Sequence, residues 1–342
     1  MIEPGPRNLI TDVEGILVGN AQDAGARSGT TVVLPEPAAL AAVEVRGGGP
    51  GTRETDALSP SCLVERVDAI VLSGGSALGL DAASGVANWL AASGRGFPIS
   101  GCFVPIVPAA ILFDLNNGGD KAWGEEPPYR RLGRAAALAA GRDFPLGNVG
   151  AGFGASAGRL KGGLGSASAI DGEGLEVGAL VAANPVGSVL VPGSARLWAA
   201  ALEQRGEFGL PAGAGMVPPR DLDLDLPAEG RLGGHTCIGI IATNLTLTKA
   251  QAQRVAIMAH DGLARAIRPV HTPFDGDTLF VLATGRRPLA EPAPLAIARL
   301  GSLAADCVAR AVARAVLAAE SLGDRLSYRA AYGAPLAGGA ES

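Results

Sequence analysis

Short apolar runs separated by glycine turns organise most of this chain. The strand-like runs of the pattern lie at residues 15–19, 30–34, 42–45, 69–72, 237–242 and 278–283, and glycine also separates apolar runs from 147 to 187. The helical patterns lie at 78–92, 129–140, about 249–267 and 294–322. Grouped strands with paired helices predict layered sheets covered by helices, rather than a parallel repeat of strand and helix.

Composition limits what can fill those layers. Aromatic residues are only 4% of the chain while 50 of its 342 residues are glycine, so we expect a core of small aliphatic side chains and closely spaced backbones. An apolar share of 48% against 18% charged residues excludes gross disorder. A net charge of −5 argues against a nucleic-acid partner, because phosphate binding needs clustered Lys and Arg.

The sequence also predicts where the protein works. The longest apolar run, residues 102–113, contains two prolines and is shorter than the ~18 residues that a membrane span needs. Residues 1–5 have neither the basic nor the apolar region of a secretory signal. We therefore expect a soluble cytoplasmic protein with no membrane partner.

Cysteine and histidine usage narrows the chemistry. Four cysteines, far apart in apolar surroundings, are expected to be buried free thiols: Cys62, Cys102, Cys237 and Cys307. The histidines His235, His260 and His271 show no zinc-ligand spacing. A serine-protease triad also needs a well-placed histidine base. If the chain is a hydrolase, we expect a base other than histidine and no bound metal.

A glycine motif at residues 152–157 fits a permissive dinucleotide fingerprint, with Asp171 at a suitable distance. No apolar strand leads into it and no helical pattern follows, as that fingerprint requires. Tight sheet packing explains these glycines better, so no organic cofactor is expected.

The strongest local signal is Thr236, which opens an apolar strand. The preceding segment, 203–234, has the prolines, glycines and alternating acids of a mobile linker. Cleavage of the 235–236 bond would give Thr236 a free α-amine with a reference pKa of about 7.7–8.0, a general base beside its own hydroxyl. Threonine is also common in strands, so taken alone the residue fits an ordinary strand.

Four other residues have both a structural and a catalytic interpretation. Asp275 and Asp277 flank one glycine, as in a solvated turn, a weak metal loop or a network that orients a nucleophile. Lys161 stands among glycines, where a lone lysine usually extends to the surface. Asn184 precedes a proline, which is typical of a turn.

Together these segments resemble one family, the self-processing aminopeptidases of the L-aminopeptidase/D-esterase-amidase type, which includes β-aminopeptidases and 6-aminohexanoate (nylon) oligomer hydrolases. The similar segments are 8–19 (NLITDVEGILVG), 46–56 (RGGGPGTRETD), 72–83 (LSGGSALGLDAA), 104–115 (VPIVPAAILFDL), 161–165 (KGGLG), 236–244 (TCIGIIATN) and 247–251 (LTKAQ). The resemblance implies a single α/β domain over 1–342, a four-layer αββα sandwich like that of N-terminal nucleophile hydrolases. It implies self-cleavage into an α chain, 1–235, and a β chain, 236–342, that stay associated, commonly within a homotetramer.

The resemblance also assigns roles to individual residues. Thr236 becomes the nucleophile, Asp275 and Asp277 orient it, Asn184 supports the oxyanion and Lys161 lowers the proton affinity of the nucleophile. His235 departs from the family, which usually has Asn or Gly before the nucleophile.

The resemblance leaves more than one activity open. A threonine nucleophile favours the nylon-oligomer branch and small amide or oligopeptide substrates. The alternatives are an aminopeptidase that releases N-terminal L-, D- or β-amino acids, an acyl transferase like ornithine acetyltransferase, and a homologue that never matures.

Overall fold

The computed structural model describes residues 2–209 and 235–333. Its strands are β1 Ile2–Glu3, β2 Ile16–Asp23, β3 Ser28–Pro35, β4 Ala39–Val45, β5 Thr52–Arg53, β6 Arg66–Val67, β7 Ile70–Ser73, β8 Phe97–Ile99, β9 Cys102–Val104, β10 Ala109–Ile111, β11 Ser156–Ala157, β12 Leu160–Lys161, β13 Gly163–Asp171, β14 Glu176–Ala183, β15 Ile238–Leu245 and β16 Thr278–Arg287. Its α-helices are α1 Asp81–Ala92, α2 Tyr129–Leu138, α3 Lys249–Ala266, α4 Ala293–Ala318 and α5 Tyr328–Tyr332. Short 3₁₀ turns lie at Ile10–Asp12, Asp56–Leu58, Ser76–Leu80, Gly150–Gly152 and Trp198–Leu202.

Two large sheets form the middle of the molecule. The seven-stranded sheet has the order β1-β13-β14-β15-β16-β4-β6, and the five-stranded sheet has the order β2-β3-β7-β10-β5. In the larger sheet β15 runs antiparallel to β14 and parallel to β16. This arrangement brings the C-terminal end of β14 and the N-terminal ends of β15 and β16 together at one end of the sheet, where the strands begin or end.

Three apolar clusters hold four layers together. One packs α3 and α4 on the seven-stranded sheet, one fills the space between the sheets, and one packs α1 and α2 on the five-stranded sheet. Strand β15 feeds two of them, because Ile238 and Ile240 point between the sheets while Ile241 points toward the helices. The predicted αββα sandwich is confirmed.

Glycine permits the close spacing of these layers. A Cβ on Gly165 of β13 would lie 1.9 Å from the carbonyl oxygen of Ala311 in α4. On the other side of the molecule, a Cβ on Gly19 of β2 would lie 1.9 Å from the carbonyl oxygen of Ala136 in α2. A side chain at either position would push a helix off its sheet, which explains why the core uses small residues and few aromatics.

The cysteine prediction is half wrong. Cys237 and Cys307 are buried free thiols, but Cys62 and Cys102 are exposed. Cys102 lies in the two-stranded hairpin β8–β9, whose side chains are exposed on both faces. Apolar neighbours in the sequence bury a thiol only where another layer covers them, and no layer formed by residues 2–209 and 235–333 covers this hairpin.

The first part of the predicted linker, 203–209, is packed rather than mobile. Phe208 is buried, and the carboxylate of Glu207 binds the guanidinium of Arg310 in α4. The rest of the predicted linker, 210–234, lies outside the described residues. Within the part of the chain that the structure describes, no helix has the length and apolarity to cross a membrane.

Candidate active site

Thr236 lies just before β15 and is almost completely buried. Its backbone N–H donates to the carbonyl oxygen of Asn184 at 2.7 Å, and its Oγ1 accepts from the backbone N–H of Gly276 at 3.1 Å. The same hydroxyl donates to the carbonyl oxygen of His235. In the uncut chain, the hydroxyl therefore contacts the carbonyl group of the His235–Thr236 peptide bond, the bond at which the sequence predicts cleavage.

The sheet brings the neighbours of Thr236 together. Ala182 of β14 pairs with Ile238, so Asn184, which follows β14, lies beside Thr236. Ile238 pairs in parallel with Thr278, so the residues that precede β16, including Asp275 and Asp277, come to the same end of the sheet. Four of the predicted site residues thus meet where three adjacent strands begin or end.

Both aspartates are buried and accept several hydrogen bonds. Asp277 Oδ1 accepts from the backbone N–H of Cys237 at 2.7 Å. Asp275 Oδ1 accepts from the backbone N–H of Val186 at 3.2 Å, and its Oδ2 accepts from the backbone and hydroxyl of Thr272. Burial, and then the negative charge of Asp277, raise the pKa of Asp275. This buried network excludes the solvated-turn interpretation of the pair.

The glycine between the aspartates contacts the nucleophile directly. Gly276 donates its N–H to Thr236 Oγ1, whereas the hydrogen bonds of the two carboxylates go to neighbouring backbone and side-chain donors. A Cβ on Gly276 would lie 2.8 Å from that oxygen and 2.7 Å from the carbonyl oxygen of Gly49. The residue type at 276 is therefore fixed by a close approach that the sequence analysis did not recognise.

The backbone carbonyl of Asn184 binds Thr236, while its side chain binds the backbone of two other segments. Its Nδ2 donates to the carbonyl oxygen of Phe113 at 3.1 Å, and its Oδ1 accepts from the backbone N–H of Ser156 at 2.8 Å. One of the two N–H groups of the amide is thus engaged away from Thr236 in the uncut chain. The structure shows no partner for the second N–H group in the described residues, and the oxyanion role of Asn184 stays a prediction.

Lys161 is buried, and not at the surface as a lone lysine usually is. Its Nζ donates to the carbonyl oxygens of Gly152 at 3.1 Å and Gly162 at 2.8 Å, and burial lowers its pKa to about 7. Lys161 pairs with Ser156 across the β11–β12 hairpin, and Ser156 in turn binds Asn184. Its connection to Thr236 therefore passes through Ser156 and Asn184.

A cavity of about 40 Å³ adjoins Lys161 and Ser156, room for one or two water molecules. Asp114 and Arg325 also line it. Burial raises the pKa of Asp114 to about 6, although its Oδ1 accepts from the N–H of Gly75 at 2.8 Å. Sequence reasoning missed Asp114 because it appeared only as one letter of the motif at 104–115.

His235 is partly buried, and its Nδ1 lacks a hydrogen-bond partner in the described structure. Burial, and then the charge of Arg325, lower its pKa to about 4, so the imidazole is neutral at pH 7. Among residues 2–209 and 235–333, no group of three His, Cys, Asp or Glu side chains is arranged to hold a metal ion.

Comparisons with known proteins identify the family. The family model of peptidase family S58 matches residues 8–328. An uncharacterized aminopeptidase of Mycobacterium tuberculosis is 46% identical over 326 residues, covering 89% of this chain and 92% of that protein. A 6-aminohexanoate-oligomer endohydrolase of Kocuria sp. is 30% identical over 291 residues, covering 82% of this chain and 76% of that enzyme.

Solved structures share the fold. The L-aminopeptidase D-Ala-esterase/amidase of Ochrobactrum anthropi, a variant of the N-terminal nucleophile hydrolase fold, superposes with a TM-score of 0.67 at 23% identity, covering 98% of this chain and 96% of that one. A β-aminopeptidase of Burkholderia sp. gives a TM-score of 0.67 at 24% identity, covering 96% and 92% of the two chains. The chain therefore belongs to peptidase family S58 and is a hydrolase of peptide or amide bonds.

Proposed function

We propose that this chain cuts itself between His235 and Thr236 and then uses Thr236, as a new N-terminus, to hydrolyse small amides. The observation that carries the proposal is the position of the Thr236 hydroxyl, which contacts the His235 carbonyl on one side and the Gly276 N–H on the other. A nucleophile held against one peptide bond in a buried site is arranged for an intramolecular reaction.

The maturation step balances without a cofactor. Thr236 Oγ1 bonds to the carbonyl carbon of His235, the bond from that carbon to the Thr236 nitrogen breaks, and the hydroxyl proton ends on that nitrogen. Water then hydrolyses the ester, leaving a carboxylate on His235 and a free hydroxyl and α-amine on Thr236.

In the mature enzyme the α-amine takes the hydroxyl proton as Thr236 attacks a substrate amide. Asp277 fixes the Cys237 amide next to the nucleophile, Asp275 fixes the adjoining turn, and both carboxylates stabilise the ammonium form electrostatically. Asn184 and backbone N–H groups stabilise the oxyanion, an effect of about 3–4 kcal/mol per donor in a well-studied hydrolase. Lys161 supplies an adjustable charge nearby, since burial places its pKa at about 7.

For substrates we propose linear amides of ω-amino acids, such as 6-aminohexanoate oligomers. The support is the similarity to the Kocuria endohydrolase together with the paired aspartates, Lys161 and Asn184, which the resemblance assigns to that branch. Release of N-terminal L-, D- or β-amino acids is the second candidate, because the 46% identical Mycobacterium tuberculosis relative is named an aminopeptidase.

Finally, we propose a cytoplasmic homotetramer whose α and β chains stay associated. Unpaired, exposed thiols at Cys62 and Cys102 suit a reducing compartment. The exposed apolar side chains of Phe97 and Ile99 in the β8–β9 hairpin suit burial between subunits. A monomeric mass by light scattering at micromolar concentration would contradict the assembly.

The test begins with intact-mass analysis of the purified chain over time. We expect two co-purifying fragments, the smaller beginning at Thr236, in the wild type and in Thr236→Ser, which keeps a hydroxyl. Thr236→Ala should remain uncut and inactive. Cleavage at the same bond in Thr236→Ala would refute the proposal, and a wild type that stays intact would favour a homologue that never matures.

A substrate panel then separates the activities. We expect the matured enzyme to hydrolyse a 6-aminohexanoate oligomer faster than L-, D- or β-amino-acid anilides. Faster release from the anilides would favour the aminopeptidase, and acetyl transfer to glutamate would favour the acyl transferase.

A further inference from the structure

His271 binds one of the two active-site carboxylates directly. Its Nδ1 lies 2.7 Å from Asp277 Oδ2, and its backbone N–H donates to the same oxygen at 3.2 Å. A carboxylate only accepts hydrogen bonds, so with Asp277 ionised Nδ1 carries a proton and donates it. Residue 271 therefore provides both of the hydrogen bonds that the structure shows at Oδ2.

The backbone at this position is unusual. His271 has a φ of 55°, in the left-handed region that few residues other than glycine adopt. Histidine and asparagine are enriched there among the residues with side chains. The next residue, Thr272, uses its N–H and hydroxyl to bind Asp275. The turn thus provides separate donors for each aspartate.

A second histidine packs against the imidazole. The rings of His260 in α3 and His271 meet edge to face, with centroids 4.9 Å apart. His260 Nε2 lies 3.0 Å from the carbonyl oxygen of Glu44, whose carboxylate binds the guanidinium of Arg46. Burial lowers the pKa of His260 to about 4, so this ring is neutral at pH 7 and does not repel its neighbour.

We propose that His271 is a positioning residue that holds Asp277 in the orientation needed by Thr236. With Oδ2 fixed by residue 271, Oδ1 is aimed at the Cys237 amide, the first peptide group after the nucleophile. Loss of the imidazole removes the shorter of the two hydrogen bonds at Oδ2, so the carboxylate and the start of β15 are less well fixed. The inference rests on the proposed function, in which Thr236 is the nucleophile.

Two substitutions separate the hydrogen bond from the backbone conformation. His271→Asn keeps a donor at the reach of Nδ1 and tolerates the left-handed conformation, while His271→Gly keeps the conformation but removes the donor. We expect His271→Gly to lower kcat on the 6-aminohexanoate oligomer by about 10- to 100-fold with KM changed by less than about threefold. His271→Asn should stay within about fivefold of wild type.

A double-mutant cycle tests whether His271 acts through Asp277. The double variant His271→Gly/Asp277→Asn should be no slower than Asp277→Asn, because the histidine then has nothing left to position. For a variant that matures too slowly for a turnover assay, the first-order rate of self-cleavage replaces kcat. Thermal unfolding of each variant serves as the control for general damage.

The outcomes separate the two proposals. A full-rate His271→Gly beside a slow Asp277→Asn would overturn the role of His271 alone, as would an Asn variant as slow as the Gly variant or fully additive losses in the double variant. A full-rate Asp277→Asn would overturn the role of Asp277 in the proposed function, and the positioning role with it.

Discussion

Replacing Lys161 with methionine tests whether burial lowers the pKa of this lysine to about 7. Methionine keeps the length and flexibility of the side chain but removes its charge and its hydrogen bonds to Gly152 and Gly162. Losing those bonds takes one donor from each carbonyl, although that of Gly152 still accepts from the backbone N–H of Ala155 at 3.3 Å. The cost, at most roughly 1–3 kcal/mol for each carbonyl, does not depend on pH. The diagnostic quantity is therefore the pH dependence of stability, not its value at one pH.

The magnitude follows from the depressed pKa. Burial takes the pKa of Lys161 from 10.5 to about 7, so between these values the unfolded chain binds a proton that the folded chain does not. Stability rises with pH wherever the unfolded state binds more protons. At about 1.4 kcal/mol per pKa unit, the lysine costs the folded state roughly 4 kcal/mol at pH 7 and roughly 2 kcal/mol at pH 9.

The assay compares denaturant unfolding of Thr236→Ala with that of Thr236→Ala/Lys161→Met, so that both chains stay uncut. Groups that do not interact with Lys161 cancel, and Asp114 is the carboxylate that does interact with it. We expect the parent to gain about 2 kcal/mol relative to the methionine variant between pH 7 and pH 9. A difference that stays constant over this range, or that moves the other way, would refute the depressed pKa.

The remaining predictions concern the residues around Thr236. Asp275→Asn and Asp277→Asn should each lower turnover of matured enzyme by about a hundredfold, with a smaller change in KM. The acid limb of the pH–rate profile should move to lower pH in both, because carboxylates raise the pKa of the α-amine; near wild-type rates would remove the pair from the site. Gly276→Ala should slow self-cleavage on a gel time course, since its Cβ would meet Thr236 Oγ1 at 2.8 Å; an unaffected rate would contradict that contact. His235→Asn should speed maturation if the departure from the family pattern is what slows it, and an unchanged rate would show that histidine is tolerated.

Local patterns predicted the elements of this fold well. The apolar run that predicted β15 follows from burial on both faces of the sheet, and the helix α3 begins after the Thr248 cap with its reciprocal bond to Gln251. Which strands become neighbours is different information, because Asn184 and Asp275 are brought to Thr236 by pairings between segments far apart in the chain. Resemblance to a family, and not periodicity, linked those residues before the structure did.

Burial of polar groups could not be predicted from the sequence. Lys161 stands among glycines, which gives no local sign that a hairpin and neighbouring carbonyls will enclose its ammonium. For the same reason the burial of Asp114 was not predicted. Cys62 and Cys102 were expected in the core because their sequence neighbours are apolar, but both are exposed. In each case the environment depends on layers contributed by distant segments, which no window of the sequence contains.

On the proposed mechanism, the uncut chain already has the geometry that the mature enzyme needs. The N–H of Thr236 donates to the Asn184 carbonyl, and Thr236 Oγ1 accepts from the N–H of Gly276. The N–H of Cys237 donates to Asp277. The donors of all three bonds lie at or after Thr236, in the future β chain. Cleavage breaks the bond from His235 to Thr236, and departure of His235 then removes its contacts, including its bridge to Asp275. The carbonyl of a substrate then takes the place of the His235 carbonyl, against a hydroxyl that has not moved. In this account, maturation removes the His235 carbonyl from a site that is already formed, and a substrate carbonyl can then occupy the same position. This is why one hydroxyl can serve both reactions.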